Sequence, residues 1–352
     1  MRKQNVTIQG LRGLLALLVV IFHSYSGLES ISLIAPLQGP LQWIGSMGSV
    51  SVNLFFVISG YLILQSLTRH QNLKKFFIDR ILRIYPVFVV IHLLIFMAGP
   101  IINYDWMSGI SIKDYVIHFF SNLLLLPGIF PSLPEAQLVA WSISYEFLFY
   151  LLVGLVFGAS INRSSSKSSL IIIVALIISV LFIYFHPRAL FFIVGIILFK
   201  LIDKINEKVT YRPWFYFNGV ILLGVILVTY NALHISISLL FSFLFFKTVI
   251  NEEGLLSRVL RTKVFKFLGD ISYSLYLWHT FVMFPLKIVI LKISNITQIP
   301  FILLLIFTVL SISISVLVSH LSYHWIEQRF TKYIKSRIYR VRDSRTPLQR
   351  TL

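Results

Sequence analysis

Residues 11–23 read Leu11-Arg12-Gly13-Leu14-Leu15-Ala16-Leu17-Leu18-Val19-Val20-Ile21-Phe22-His23. Continued to about residue 27, this run approaches the roughly 20 apolar residues that a helix needs to cross a bilayer core. Arg2 and Lys3 precede it, as in a signal peptide, but Arg12 interrupts it, no small-residue cleavage pattern stands out, and further spans follow. It therefore reads as a retained first helix. Similar runs fall at 49–68, 84–103, 140–160, 168–185, 189–202, 214–230, 232–250, 271–293 and 298–322. The chain of 352 residues is 57% hydrophobic and only 12% charged, with a mean hydropathy of +0.85, far from soluble averages. The expectation is an all-α polytopic membrane protein of about ten transmembrane helices, with no room for a sizeable soluble domain. It divides into a transmembrane domain over 1–330 and a basic tail over 331–352. Residues 116–127 form a shorter apolar stretch, of a length more often re-entrant or interfacial. The run 189–202 is short for a span and needs flanking residues or local thinning.

With 31 Lys and Arg against 13 Asp and Glu, the formal charge is +18, which in a soluble protein raises the question of nucleic-acid binding. With ten spans, every basic residue except Lys113, Arg188, Lys287 and Lys292 falls on the side of the two termini. The positive-inside rule then makes that side cytoplasmic. The charge reads as topology, and no nucleic-acid partner is implied. The basic tail suits attraction to anionic membrane lipid. Zero Cys excludes disulfides, thiolate metal sites and a cysteine acyl-enzyme, and no metal-ligand spacing stands out elsewhere.

Ionisable side chains inside spans are costly and mark candidate sites. His23 lies near the outer end of the first span, and Glu146, in Trp141-Ser142-Ile143-Ser144-Tyr145-Glu146, lies about six residues into the fourth. At 1.5 Å per residue the two reach a similar outer depth, with Asn53 of the second span at that level too. A histidine oriented by a carboxylate is a minimal general base near neutral pH; a buried histidine bridging helices is the plainer alternative. At the cytoplasmic end, Asp79-Arg80-Ile81-Leu82-Arg83-Ile84-Tyr85-Pro86 places two arginines on one helix face. With Arg12 they suit a polyanionic ligand, because guanidinium forks hold phosphates bidentately; snorkelling charge is the alternative for any one of them. His279 lies near mid-membrane, with Ser272, Tyr273 and Tyr276 on neighbouring faces. That strip lines a path between the two clusters or serves as interhelical hydrogen-bond glue.

Taken together and in order, the segments 11–23, 51–63, 80–86, Trp141–Glu146 with Tyr150, and 269–279 resemble the acyltransferase-3 family of bacterial integral membrane carbohydrate O-acyltransferases. The resemblance covers residues 8–330. It implies a ten-helix bundle in the bacterial cytoplasmic membrane that moves an acetyl group from cytosolic acetyl-CoA to a hydroxyl of a surface polysaccharide or its lipid-linked precursor, with no metal. The family's functional histidine corresponds to His23, its paired arginines to Arg80 and Arg83, and its first-helix arginine to Arg12. The expected roles are His23 and Glu146 in catalysis, Arg12, Arg80 and Arg83 on the CoA phosphates, and Asn53, Tyr150, Tyr273 and His279 lining the site. His23 can act as a base or as a nucleophile, and both routes stay open. Members often carry Asp where this chain has Asn53. The acceptor's contacts are expected in the outer loops, around Trp43, Tyr104, Asp105, Trp106, Asp114 and Glu135, with an interfacial aromatic belt an equally good account of the aromatics. A carbohydrate or lipid-intermediate transporter is the rival reading, with the same polar strip as its permeation path.

Overall fold

The computed structural model describes residues 5–343 apart from 71, 103, 162–165, 206–215, 233, 253 and 297–298, and the described residues contain no strand. Each of the ten apolar runs contains a helix. These are α1 (Val6–Glu29), α2 (Met47–His70), α3 (Leu73–Ala98), then, beyond a short α4 (Ile112–Leu123), α5 (Ala140–Ile161), α6 (Ser166–Phe185), α7 (Leu190–Ile205), α8 (Asn218–Thr229) and α9 (Ile235–Ile250). After two short helices, α10 (Gly254–Leu260) and α11 (Lys263–Asp270), come α12 (Ser272–Ser294) and α13 (Pro300–Ser322). A π-helical segment, Tyr323–Phe330, then leads into α14 (Thr331–Asp343). Seven helices are long and apolar enough to cross a membrane, and α9 with α10, bent by 65°, would make an eighth. The expected ten is thus larger than the number reaching full length, because α7 and α8 hold only 16 and 12 residues. The last residues of the basic tail, 344–352, and Arg2, Lys3, Arg163, Lys208 and Arg212 lie outside the described residues.

Helix α1 sits at the centre, packed against α2, α11, α12 and α13. Its N-terminus is capped by Asn5, whose side chain accepts from the Ile8 amide at 3.0 Å and donates to Ile250 O at 3.1 Å. Without a hydrophobic driving force between helices in lipid, close packing depends on small residues. Helices α2 and α7 show this: a Cβ on Gly60 would lie 2.1 Å from Phe192 O, and one on Gly195 2.1 Å from Val57 O. Helix α13 contributes Ser311, Ser315, Ser319 and Ser322, all buried.

Helix α3 begins at Leu73, about three turns before the expected apolar run, and carries Pro86 inside it. Proline cannot bond the carbonyl of the residue four before it. That carbonyl, Leu82 O, instead accepts from Thr331 Oγ1 at 3.4 Å, and the neighbouring Ile84 O accepts from Tyr273 Oη at 2.6 Å. Side chains from α12 and α14 thus satisfy the broken turn, and they tie the arginine-bearing part of α3 to the end of the chain.

Candidate active site

Two cavities lie along one polar line through the bundle. The first, at the end of the bundle that carries Arg12, is narrow, about 60 Å³. Arg12 of α1, Ser59 of α2, Arg83 of α3, Glu146 of α5 and Tyr273 of α12 all line it. Glu146 Oε1 accepts from Ser59 Oγ at 2.6 Å and from Tyr150 Oη one turn further along α5. No carboxylate comes within 4 Å of Arg12 or Arg83 among the described residues, although both guanidinia lie in the field of Glu146 and Glu327. Arg80 stands beside the cavity, its guanidinium 5.3 Å from the Tyr150 ring centroid and 5.5 Å from that of Phe76. Its buried Nε has no hydrogen-bond partner. Such a set can hold an anionic group: two guanidinia line the cavity, with a tyrosine-backed carboxylate close by.

The second cavity, about 410 Å³, lies toward the opposite end and is lined by His23, Ser26, Ser30, Tyr104, Thr280 and Lys287, among others. The expected outer-loop residue Tyr104 therefore reaches it. Lys287 Nζ is 3.4 Å from Ser30 Oγ. His23 Nδ1 is 3.1 Å from Val19 O and 3.1 Å from His279 Nε2, while His279 Nδ1 is 3.1 Å from Leu275 O. His279 is fully buried. The arginine cavity is also lined by Tyr276, whose ring lies 6.1 Å from that of His279, and by Ser142, whose Oγ is 2.7 Å from Tyr276 Oη. A third, mostly apolar cleft of about 320 Å³ adjoins the second cavity and shares Tyr104, Thr280 and Phe284 with it.

The structure corrects one relation expected from helical depth: Glu146 is not His23's partner. It belongs to the arginine cavity, while His23 bonds His279. The cause is the segment before α5. Residues 124–139 are exposed at 130–132 and then return into the bundle, where the buried Gln137 donates to Leu277 O at 3.0 Å. Helix α5 therefore starts inside the bundle, and Glu146 lies at the level of Ser59, twelve residues into α2.

Asn53 is buried with both amide atoms unpartnered, and it lines none of these cavities. Tyr150 and Tyr273 do reach the arginine cluster, and His279 reaches His23. Trp106 Nε1 donates to Glu135 O at 3.0 Å and Asp114 bonds Ser111 Oγ at 2.8 Å, so both of these outer-loop positions are engaged in local structure. The side chain of Asp105 lies outside the described residues.

Sequence reasoning missed Glu327. It lies in the π-helical segment, where Ser274 Oγ donates to it at 2.5 Å. A π-turn is itself a frequent mark of functional sites, but nothing in the sequence announced one. Among the described residues no group of three His, Asp or Glu side chains is placed to hold a metal.

A family model described as an acyltransferase domain matches residues 5–320. The chain belongs to the acyltransferase-3 family. Membership makes it an acyltransferase, of the O-acetyltransferase kind that its relatives' names record. It is 27% identical over 301 residues to a putative acetyltransferase, ORF330, of Acidianus two-tailed virus, covering 77% of this chain and 81% of that one. It is 28% identical over 254 residues to the exopolysaccharide production protein ExoZ of Rhizobium meliloti, covering 67% and 77%. An O-acetyl transferase of Shigella phage Sf6 is 27% identical over 144 residues, 38% and 40% of the two chains. No solved structure matches.

Proposed function

We propose that this acyltransferase works across the bacterial cytoplasmic membrane, moving an acetyl group from cytosolic acetyl-CoA to a hydroxyl of an extracytoplasmic carbohydrate, an O-antigen or exopolysaccharide or its lipid-linked precursor. The observation that carries the reading is the pair of cavities on one polar line, guanidinia in one and an imidazole in the other. Arg12 and His23 stand eleven residues apart on α1, about 16 Å along its axis, a distance the extended pantetheine arm covers. The relatives named for O-acetyl transfer and exopolysaccharide production support the acceptor class.

In this reading both termini are cytoplasmic, and all ten apolar helices contribute crossings, the short α7 and α8 with local thinning of the bilayer. Arg12 and Arg83, flanked by Arg80, hold the CoA phosphates, and Tyr150 and Tyr273 frame the arm. Glu146, fixed by Ser59 and Tyr150, is the counter-charge that keeps the arginine cavity open before the donor arrives. His23 Nε2 takes the proton of the acceptor hydroxyl as its oxygen attacks the thioester carbonyl. When the tetrahedral adduct collapses, the C–S bond breaks and the proton passes from His23 to the CoA sulfur. The products are the O-acetyl ester and free CoA.

The test is mass spectrometry of the surface polysaccharide from cells expressing wild-type, His23→Ala or Arg83→Ala protein at equal levels. Acetyl-mass additions are expected with wild type alone. Normal acetylation by His23→Ala would remove the catalytic assignment. Altered polysaccharide export without any acyl addition would favour a transporter.

A further inference from the structure

We infer that His279 is a positioning residue that fixes the tautomer of His23, holding the proton on Nδ1 and leaving the Nε2 lone pair bare toward the second cavity. The inference deepens the acetyl-transfer reading and rests on it for its kinetic part, but the tautomer itself stands on geometry alone.

Three contacts of 3.1 Å determine it: His23 Nδ1 to Val19 O, His23 Nδ1 to His279 Nε2, and His279 Nδ1 to Leu275 O. A carbonyl oxygen only accepts, so each Nδ1 facing a carbonyl carries its hydrogen. A neutral imidazole has one N–H. His279, with its hydrogen on Nδ1, therefore presents Nε2 as an acceptor, and the Nδ1–H of His23 is shared between that nitrogen and Val19 O. The reverse arrangement sets a lone pair of each ring against a carbonyl. It would also leave the proton of His23 on Nε2, the atom required to receive one.

Val19 O alone would hold His23 weakly, since a carbonyl four residues back in a helix already accepts the main-chain amide. The second acceptor comes from α12, and His279 is itself immobilised by full burial. Nε2 of His23 has no hydrogen-bond partner among the described residues, and the side chain lines the second cavity with Ser26, Thr280 and Lys287. When Nε2 accepts the proton of the acceptor hydroxyl, the imidazolium donates from Nδ1 to His279 Nε2, a bond that strengthens with the charge. Orientation of a catalytic histidine is here the work of a second histidine, with no carboxylate in the pair.

The test uses full-length protein in nanodiscs with ¹⁵N-labelled histidine, the His23 signals being identified by their loss in His23→Gln. In wild type, His23 is expected to show a protonated Nδ1 and a bare Nε2. His279→Phe removes the acceptor; its His23 signals should move toward the Nε2–H form, and kcat should fall about 10- to 100-fold with KM for acetyl-CoA within twofold. His279→Gln, whose carbonyl can accept the same hydrogen, should recover most of both. The inference is overturned if wild-type His23 carries its proton on Nε2, or if His279→Phe leaves the His23 signals and kcat unchanged. Should His279→Phe not fold, the wild-type spectrum and His279→Gln still decide the matter. Expected ¹⁵N spectra in a protein that transfers no acetyl group would sink the functional reading and leave the tautomer standing.

Discussion

Ser59 Oγ donates to Glu146 Oε1 at 2.6 Å, joining the middle of α2 to α5 and fixing a carboxylate in the same cavity as Arg12 and Arg83. The carboxylate stands where the phosphates of a donor would draw near, so it opposes them as well as balancing the arginines. Glu146→Gln keeps the shape and an acceptor for Ser59 while removing the charge. One charge pair about 4 Å apart interacts by roughly 1 kcal/mol in water and by more within a protein, so CoA should bind at least about fivefold tighter to Glu146→Gln than to wild type. Titration calorimetry with CoA checks this, and weaker binding would mean that Glu146 helps the donor by another route.

Arg83 faces the same cavity with no carboxylate within 4 Å among the described residues. Hydrogen bonds to charged groups contribute about 1.5–3 kcal/mol, so Arg83→Ala should raise the CoA Kd about 10- to 150-fold. Arg83→Lys should restore only part of this, because an ammonium lacks the bidentate fork. Unchanged binding in Arg83→Ala would remove the donor-site assignment.

The α2–α7 contact is closed by glycine. A methyl on Gly60 or Gly195 meets a carbonyl oxygen at 2.1 Å, so the helices must part, whereas Gly224 has nothing within 4 Å of its position. Overpacking costs typically 1–3 kcal/mol. Gly60→Ala and Gly195→Ala should lower the melting temperature in detergent by several degrees, and Gly224→Ala should leave it in place.

Glu135, in the folded-back segment before α5, is pushed up to about 7 by burial, an effect partly offset by a hydrogen bond from the Trp141 backbone. A carboxyl whose folded value is raised binds more protons when folded than when released. Its contribution to stability is complete below about 4.5, its ordinary value, and is lost as the pH rises through about 7. The melting temperature should therefore fall between pH 5 and pH 8, and Glu135→Gln should flatten that part of the profile.

The helices were legible because each apolar run is nearly long enough to span a bilayer and carries few charges. Arg12, His23 and His279 stood out for the same reason: an ionisable group amid apolar neighbours is costly wherever the chain goes next; Arg83 stood out by its spacing from Arg80 on one helix face. Glu327 was not legible, since it follows the last apolar run among other charges. Only the π-turn after α13 and the bond from Ser274 bring it to the arginines. Depth was misread at Glu146 because counting residues assumes that α5 starts at the surface, and the buried Gln137 shows that it does not.

By itself, then, the sequence determined the class of molecule and singled out most of the polar side chains that line its cavities, because lipid penalises polar groups whatever the fold. Only the tertiary structure decided which of them meet. It paired His23 with His279 and set Glu146 with Ser59, Tyr150 and the arginine cavity. The reason is physical: partnership depends on where helices begin and how closely their small residues let them approach, and both are settled by contacts between segments distant in the chain.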